Sequence, residues 1–208
     1  MTNKAEQAIE IAEKITDLYE TNRLLAYEPY EYQKRFHDAK DGAGRLARQR
    51  LLMAANKTGK TFCGASEMAF HLTGRYPEWW TGAKFQRPIT AWAAGNTTAN
   101  TRDIVQAELL GEPGDEEDFG KGAIPKEFIV GTPLRMPGVP NAYQSLNVKH
   151  VSGRNSKLIF KSYEQGKMQW MGKAVDVTWL DEEPPQDIYS QALRAALKSG
   201  GIVFMTFT

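Results

Sequence analysis

Ala54-Ala55-Asn56-Lys57-Thr58-Gly59-Lys60-Thr61 follows the apolar run Leu51-Leu52-Met53 and precedes a helical pattern that begins at Phe62. A strand that turns through such a loop into a helix aims backbone N–H groups and the helix N-terminus at a polyphosphate. In this pattern Asn56, Lys57, Thr58 and Gly59 form the cradle, Lys60 reaches the β- and γ-phosphates, and the Thr61 hydroxyl ligates Mg²⁺. The pattern asks for Gly where the chain has Ala54. Ala occupies ordinary α or β backbone space, so the loop requires that position 54 not adopt a positive φ.

Downstream, Ala174-Val175-Asp176-Val177-Thr178-Trp179-Leu180 reads as a strand rich in β-branched and aromatic residues and runs into Asp181-Glu182-Glu183. This is a Walker B arrangement, in which a buried strand delivers one carboxylate to the Mg²⁺ shell and the next to the attacking water. Asp181 is assigned to the metal and Glu182 to the water, with Glu183 the alternative base. Acidic residues before Pro184-Pro185 also suit a solvated turn. The two motifs in this order, each at a strand end, point to an NTP-binding fold.

The 208 residues fit one large α/β domain, and the net charge of +1 makes the whole chain no electrostatic magnet for nucleic acid. Cys63 is the single cysteine, which excludes an intrachain disulfide and a cysteine-based zinc site. His37, His71 and His150 lack metal-ligand spacing and are assigned structural or surface roles. No apolar run approaches the roughly 20 residues that span a bilayer, and the polar N-terminus does not read as a signal peptide. The expected setting is reducing and cytoplasmic.

Residues 1–26 form an N-terminal segment whose Ala5, Ala8, Ile9, Ala12, Ile15 and Tyr19 follow helical spacing over 4–26, and residues 27–208 form the core. A short helix is expected after Tyr27, and Asp38 to Gly44 reads as a linker. Strands are expected near 50–55, 88–94, 156–162, 174–180 and 201–207, with helices near 61–73 and 98–110. This alternation predicts a mostly parallel sheet with helices on both faces, and residues 144–151 add an antiparallel hairpin edge against 156–162. The acidic stretch Asp115-Glu116-Glu117-Asp118 reads as a solvated excursion, and the region of Pro133, Pro137 and Pro140 as irregular. The chain ends on a buried-strand pattern, Gly201 to Thr208, which suggests a fragment of a longer protein.

Other residues carry weaker signals. Pro29-x-x-x-Gln33-x-x-Phe36 lies upstream of the loop, where a Gln amide matches the N6 and N7 edge of adenine and Tyr30 or Tyr32 could stack on the base. The same residues serve equally as an aromatic staple between the N-terminal helix and the core. Thr206 and Thr208 end the strand after Walker B, where hydroxyls could sense the γ-phosphate and couple hydrolysis to movement; threonine is also a common strand former. Lys149, Arg154, Lys157, Lys161 and Lys167 interleave with Tyr163 and Trp170, a mix suited to DNA backbone contact and stacking or to a solvated hairpin face.

Taken together, Pro29 to Phe36, Asn56 to Thr61, Trp179-Leu180-Asp181-Glu182-Glu183-Pro184 followed by Ile188-Tyr189 and Gly200-Gly201, and Thr206-Phe207-Thr208 resemble the ATPase half of the large terminase subunit of tailed bacteriophages. The resemblance spans about residues 27–208. It implies a RecA-like P-loop NTPase of the ASCE type that uses ATP and Mg²⁺ in the host cytoplasm. It further implies a homo-oligomeric ring that moves double-stranded DNA into a procapsid, with the small terminase subunit and the portal protein as partners and no membrane. The nuclease domain that follows in the family is absent from this chain, so no DNA cleavage is expected. Two departures stand out. Many members carry an Arg where this chain has Asn56, and many carry an Arg-Gly pair where it reads Trp170-Met171-Gly172-Lys173. Arg102, Arg135, Arg154 and Arg194 remain as arginine-finger candidates. A superfamily 2 helicase-like fragment and a nucleotide-binding assembly switch with negligible turnover are the competing readings. The helicase needs a second RecA-like domain that this length cannot hold.

Overall fold

In the computed structural model, which describes residues 4–115 and 117–208, the chain builds one seven-stranded sheet in the order β1-β7-β6-β2-β5-β4-β3. The strands are β1 (Gln49–Met53), β2 (Thr90–Gly95), β3 (Ile129–Arg135), β4 (Tyr143–Lys149), β5 (Asn155–Ser162), β6 (Val177–Asp181) and β7 (Ile202–Phe207). From β1 through β5 along the sheet every pairing is parallel, while β4 pairs antiparallel with both β5 and β3. The helices are α1 (Lys4–Thr21), α2 (Glu31–His37), α3 (Lys60–Thr73), α4 (Thr98–Asn100), α5 (Ala107–Leu110) and α6 (Gln186–Ser199), with a π-helical turn at Thr101–Gln106 joining α4 to α5.

One apolar core packs α3 and the segment 98–110 against the sheet through Met68, Leu72, Val105 and Leu109. A second core, on the opposite face, packs α6 through Ile188, Ala192 and Ala196 onto Trp92, Leu180 and Val203. Strand β6 is buried at every residue, as a central strand covered on both faces should be. Gly64 sits where α3 crosses β6; a Cβ there would lie 2.7 Å from the Trp179 ring.

The five expected strands and the antiparallel hairpin edge are all present. Four expectations need correction. Strand β3 occupies the stretch read as irregular; Gly131 at φ +68° and a register shift before Leu134 accommodate Pro133 within an edge strand. Helix α6 was not anticipated, because Pro184-Pro185 read as a turn, although these prolines end where the helix begins. The acidic stretch is not a free excursion around Asp118, whose carboxylate accepts from Glu112 N at 2.7 Å and pairs with Lys121; Glu116 lies outside the described residues. Helix α1 ends at Thr21 rather than near 26 and leaves Ile9, Ile11, Ile15, Leu18 and Tyr19 exposed. No helix among the described residues is long and apolar enough to cross a membrane.

Buried polar chemistry ties α2, β1 and α3 together. Glu67 of α3 is fully buried and pairs with Arg50 of β1, whose guanidinium also donates to Phe36 O at 3.2 Å and His37 O at 3.0 Å. His37 Nδ1 lies 2.7 Å and His71 Nε2 3.3 Å from the same carboxylate. A carboxylate only accepts, so each of these ring nitrogens carries a proton toward it; on the other side of its ring, His37 Nε2 lies 2.9 Å from Tyr27 Oη. Burial pushes the Glu67 pKa up, but Arg50 and the two histidines outweigh it and hold the carboxyl well below its usual range. A depressed carboxyl contributes stability above its unfolded pKa that is lost on acidification. Arg50→Met is expected to cost about 3–5 kcal/mol, because it strands a buried carboxylate. The double variant Arg50→Met/Glu67→Leu should recover most of that loss in denaturant unfolding; equal losses in both would show that packing, not charge, sets the cost.

Candidate nucleotide site

Parallel pairing places the C-terminal ends of β1, β7, β6 and β2 on one edge of the sheet, where open α/β folds bind ligands. The register pairs Met53 with Phe207 and Asp181 with Thr206, so the loop after β1, the end of β7 and the acidic end of β6 meet there.

The loop adopts the form its motif predicts. Lys57 at φ +62° and Gly59 at φ +80° alternate with ordinary backbone, and α3 begins at Lys60. Successive left- and right-handed residues turn backbone N–H groups into one concavity. Ala54 is not among the positive-φ residues, which meets the condition for Ala at that position. Lys60, almost wholly buried, donates to Ala55 O at 2.9 Å and to Thr208 Oγ1 at 3.1 Å. Thr208 in turn donates to Asn56 Oδ1 at 3.0 Å, and Thr58 Oγ1 to Ala55 O at 2.7 Å. Thr208 therefore lies against the lysine that the motif aims at phosphate.

Behind the loop, Gln33 is 3% exposed; its Oε1 accepts from Tyr30 N at 2.9 Å and its Nε2 donates to Gly59 O at 3.2 Å. The amide expected to read adenine is thus engaged by the chain itself, as a cap for α2 and a brace for the loop. Base reading would require both bonds to break. Tyr32 is bonded to Thr58 O and stacked at 5.9 Å on Tyr30, whose ring is largely exposed. Thr61 opens onto a 440 Å³ cleft lined by Arg23, Asp103 and Glu108.

At the end of β6, Asp181 Oδ1 accepts from Thr206 Oγ1 at 2.7 Å, and Trp179 Nε1 donates to the same hydroxyl at 2.8 Å. Indole N–H, threonine hydroxyl and carboxylate form a chain of one-way donors that orients Asp181. Burial pushes the Asp181 pKa up to about 6 against the pull of the Thr206 hydrogen bond, with Glu182 raising it further and Lys60 lowering it. A buried carboxylate short of positive charge is the hard oxygen donor that Mg²⁺ takes, and the Thr61 hydroxyl at the start of α3 is of the same donor class. Glu182 follows at φ +64°, a left-handed conformation that costs a β-carbon-bearing residue roughly 1–2 kcal/mol. Its N–H donates to Thr206 O at 2.8 Å, which anchors this turn to β7. Glu183 is exposed and lines a different cleft, with Asn96, Glu164 and Pro185, whereas Glu182 lies near enough to Asp181 to raise its pKa.

The finger candidates separate by position. Arg102 is bound to Asp103 and to Pro140 O at 3.0 Å. Arg135 ends β3 at the site edge, over the Tyr143 ring. Arg154 precedes β5 and therefore sits at the opposite edge of the sheet, away from its own chain's phosphate loop; Arg194 is exposed along α6. Base stacking by Tyr163 and Trp170 is overturned: both rings are buried in the second core. Lys161 lies 4.7 Å over Trp92 and 5.4 Å over Trp170 instead, and burial with nearby Lys173 lowers its pKa to about 8. Residues that sequence reasoning missed include Arg23, Glu108 and the hydroxyl of Tyr163. Only three-dimensional proximity marks them, since none belongs to a local pattern.

The raised Asp181 pKa makes this site a stability cost. A carboxyl whose pKa rises from 3.8 to about 6 on folding opposes its own ionisation, so stability present at low pH is lost as pH rises through 6. Asp181→Asn keeps the Thr206 acceptor and is expected to stabilise the chain by about 2–3 kcal/mol at pH 8 and by almost nothing at pH 4. Denaturant unfolding at the two pH values checks this; a gap that is equal at both would mean ionisation is not the cause.

The sequence family described as "Terminase large subunit, T4likevirus-type, N-terminal" covers residues 51–208. The "Terminase, large subunit" of Salmonella phage P22 is 35% identical over 219 aligned positions, covering 97% of this chain and 43% of that protein, so the chain spans less than half the length of its relative. The large terminase of the thermophilic bacteriophage D6E, solved in complex with ADP, superposes with a TM-score of 0.57 at 12% identity, covering 84% of this chain and 37% of the other; it shares the fold. A phosphate loop, a Walker B strand and a threonine-ended strand on one edge of a parallel sheet, together with these matches, place the chain in the terminase large-subunit family, in its N-terminal part.

Proposed function

We propose that this chain is the ATP-hydrolysing motor domain of a viral large terminase, which drives double-stranded DNA into a procapsid. The observation that carries this reading is the convergence of Lys60, Thr208 and Asn56 with Asp181 and Thr206 at adjoining strand ends. The D6E relative's complex with ADP supports a nucleotide at the site.

Within this reading, the Asn56–Thr61 loop and the α3 N-terminus hold the polyphosphate of ATP, and Lys60 neutralises its terminal phosphates. Thr61 and Asp181 would hold Mg²⁺, which when bound would offset the negative charge that builds up during phosphoryl transfer. Glu182 orients the attacking water and takes up its proton. Thr208 and Thr206 make the site responsive. The first shares its hydroxyl between Lys60 and Asn56, the second contacts Asp181, and both end one strand. A change in how Lys60 or Asp181 is occupied would be felt along β7. Ring assembly, the small terminase subunit and the portal protein, and host-cytoplasmic assembly belong to the same proposal. Of the arginine candidates, Arg154 and Arg194 do not reach this chain's own site edge and could serve only a neighbouring subunit, whereas Arg135 ends β3 at this chain's own edge.

The competing switch reading predicts nucleotide binding without turnover. The left-handed Glu182, held against β7, favours hydrolysis, because such strain persists where the surroundings over-determine it. In a Mg²⁺-dependent ATPase assay, Lys60→Ala is expected to abolish turnover. Glu182→Gln should retain ATP binding while losing at least about 100-fold in kcat. Turnover per chain that rises with protein concentration would place the arginine in trans. ATP bound by the wild type without hydrolysis, or turnover unchanged in Glu182→Gln, would favour the switch or another base.

A further inference from the structure

Tyr163 opens the 3-10 turn Tyr163–Gln165 that follows β5, two strands away from β6 in the sheet. Its ring is buried in the second core, 6.1 Å from Trp170. Its hydroxyl lies 2.9 Å from Asp181 O and 3.1 Å from Glu182 O. One phenolic hydrogen shared between two successive carbonyls clamps the peptide that links the metal-directed carboxylate to the left-handed Glu182. Burial, reinforced by the nearby Asp181 and Glu182 carboxylates, raises the phenol pKa, so the group remains a donor. The turn that carries Tyr163 is itself fixed. Glu164 N donates to Asn96 O at 3.1 Å, Thr98 N donates to Glu164 Oε1 at 2.6 Å, and Ser162 N donates to Gln165 Oε1 at 3.3 Å.

We infer that Tyr163 is a positioning residue for the Walker B carboxylates: its hydroxyl holds the Asp181–Glu182 backbone in the turn that presents Glu182 to the water. This rests on the ATPase reading above. Thr206 O takes the Glu182 N–H from one side and Tyr163 takes the Glu182 carbonyl from the other, so the residue is restrained at both ends and its side chain leaves in one direction.

Tyr163→Phe removes only the hydroxyl and keeps the ring in an apolar site. It is expected to lower kcat about 10- to 100-fold, as a small misplacement of a reacting group does, with KM for ATP within about twofold. Because the effect runs through Glu182, the same substitution in a Glu182→Gln background should change the residual rate little. Hydrogen–deuterium exchange, which needs no turnover, should show faster exchange across residues 180–184 in Tyr163→Phe, with α3 and β1 at wild-type rates. An unchanged kcat, a rise in KM alone, equal losses in both backgrounds, or unchanged exchange across 180–184 would overturn the inference. A wild type that hydrolyses no more ATP than Lys60→Ala, while the exchange difference persists, would remove the ATPase reading and leave the backbone clamp standing.

Discussion

Strand β7 lies hydrogen-bonded between β1 and β6, parallel to both, and the rest of the site depends on that pairing. Parallel strands end on the same edge, so one register decides that Thr206 faces Asp181 and that Thr208 reaches Lys60. A one-residue slip would turn every side chain of β7 to the other face, placing Met205 or Phe207 where a hydroxyl is needed. The register is held because Val203 and Phe204 fill opposite cores, the first against α6 and the second against Trp179 at 6.3 Å.

The same edge concentrates features that oppose stability. Asp181 is buried without matching positive charge, Glu182 sits in left-handed backbone, and Lys60 occupies a site with little solvent. Each is unfavourable for an isolated fold and, under the proposed function, suits the binding of a polyphosphate and a divalent cation, a common relation between stability and function. The surrounding structure compensates with directional bonds. Trp179 and Thr206 orient the carboxylate, Thr206 O and Tyr163 restrain the glutamate, and Gln33 braces the loop from behind.

The Glu67 network has a related role at a deeper level. It joins α2, which carries Gln33, to β1 and α3, which flank the phosphate loop. A carboxylate with no exposure can stay ionised only if Arg50, His37 and His71 keep their positions, so these elements hold one arrangement. The brace behind the loop is therefore tied to the buried core.

Much of the site was legible in the sequence because its parts are local. The loop Asn56–Thr61 and the strand leading into Asp181-Glu182 each announce themselves within eight residues, where backbone geometry and residue type are directly coupled, and alternating apolar runs were enough for a parallel sheet. Strand β3 escaped because Pro133 obscured an edge strand that a glycine-assisted irregularity accommodates, and α6 because its start coincides with prolines that also end turns. What only the tertiary structure decided was pairing across the chain: Lys60 with Thr208, Arg50 with Glu67, and the Tyr163 hydroxyl with the Asp181–Glu182 peptide. It also decided against the aromatic DNA platform, since burial of Tyr163 and Trp170 depends on which face of the sheet α6 covers. Sequence determines the chemical groups and their local backbone. Which groups meet depends on strand order and burial, because contacts between distant residues exist only once the sheet has assembled.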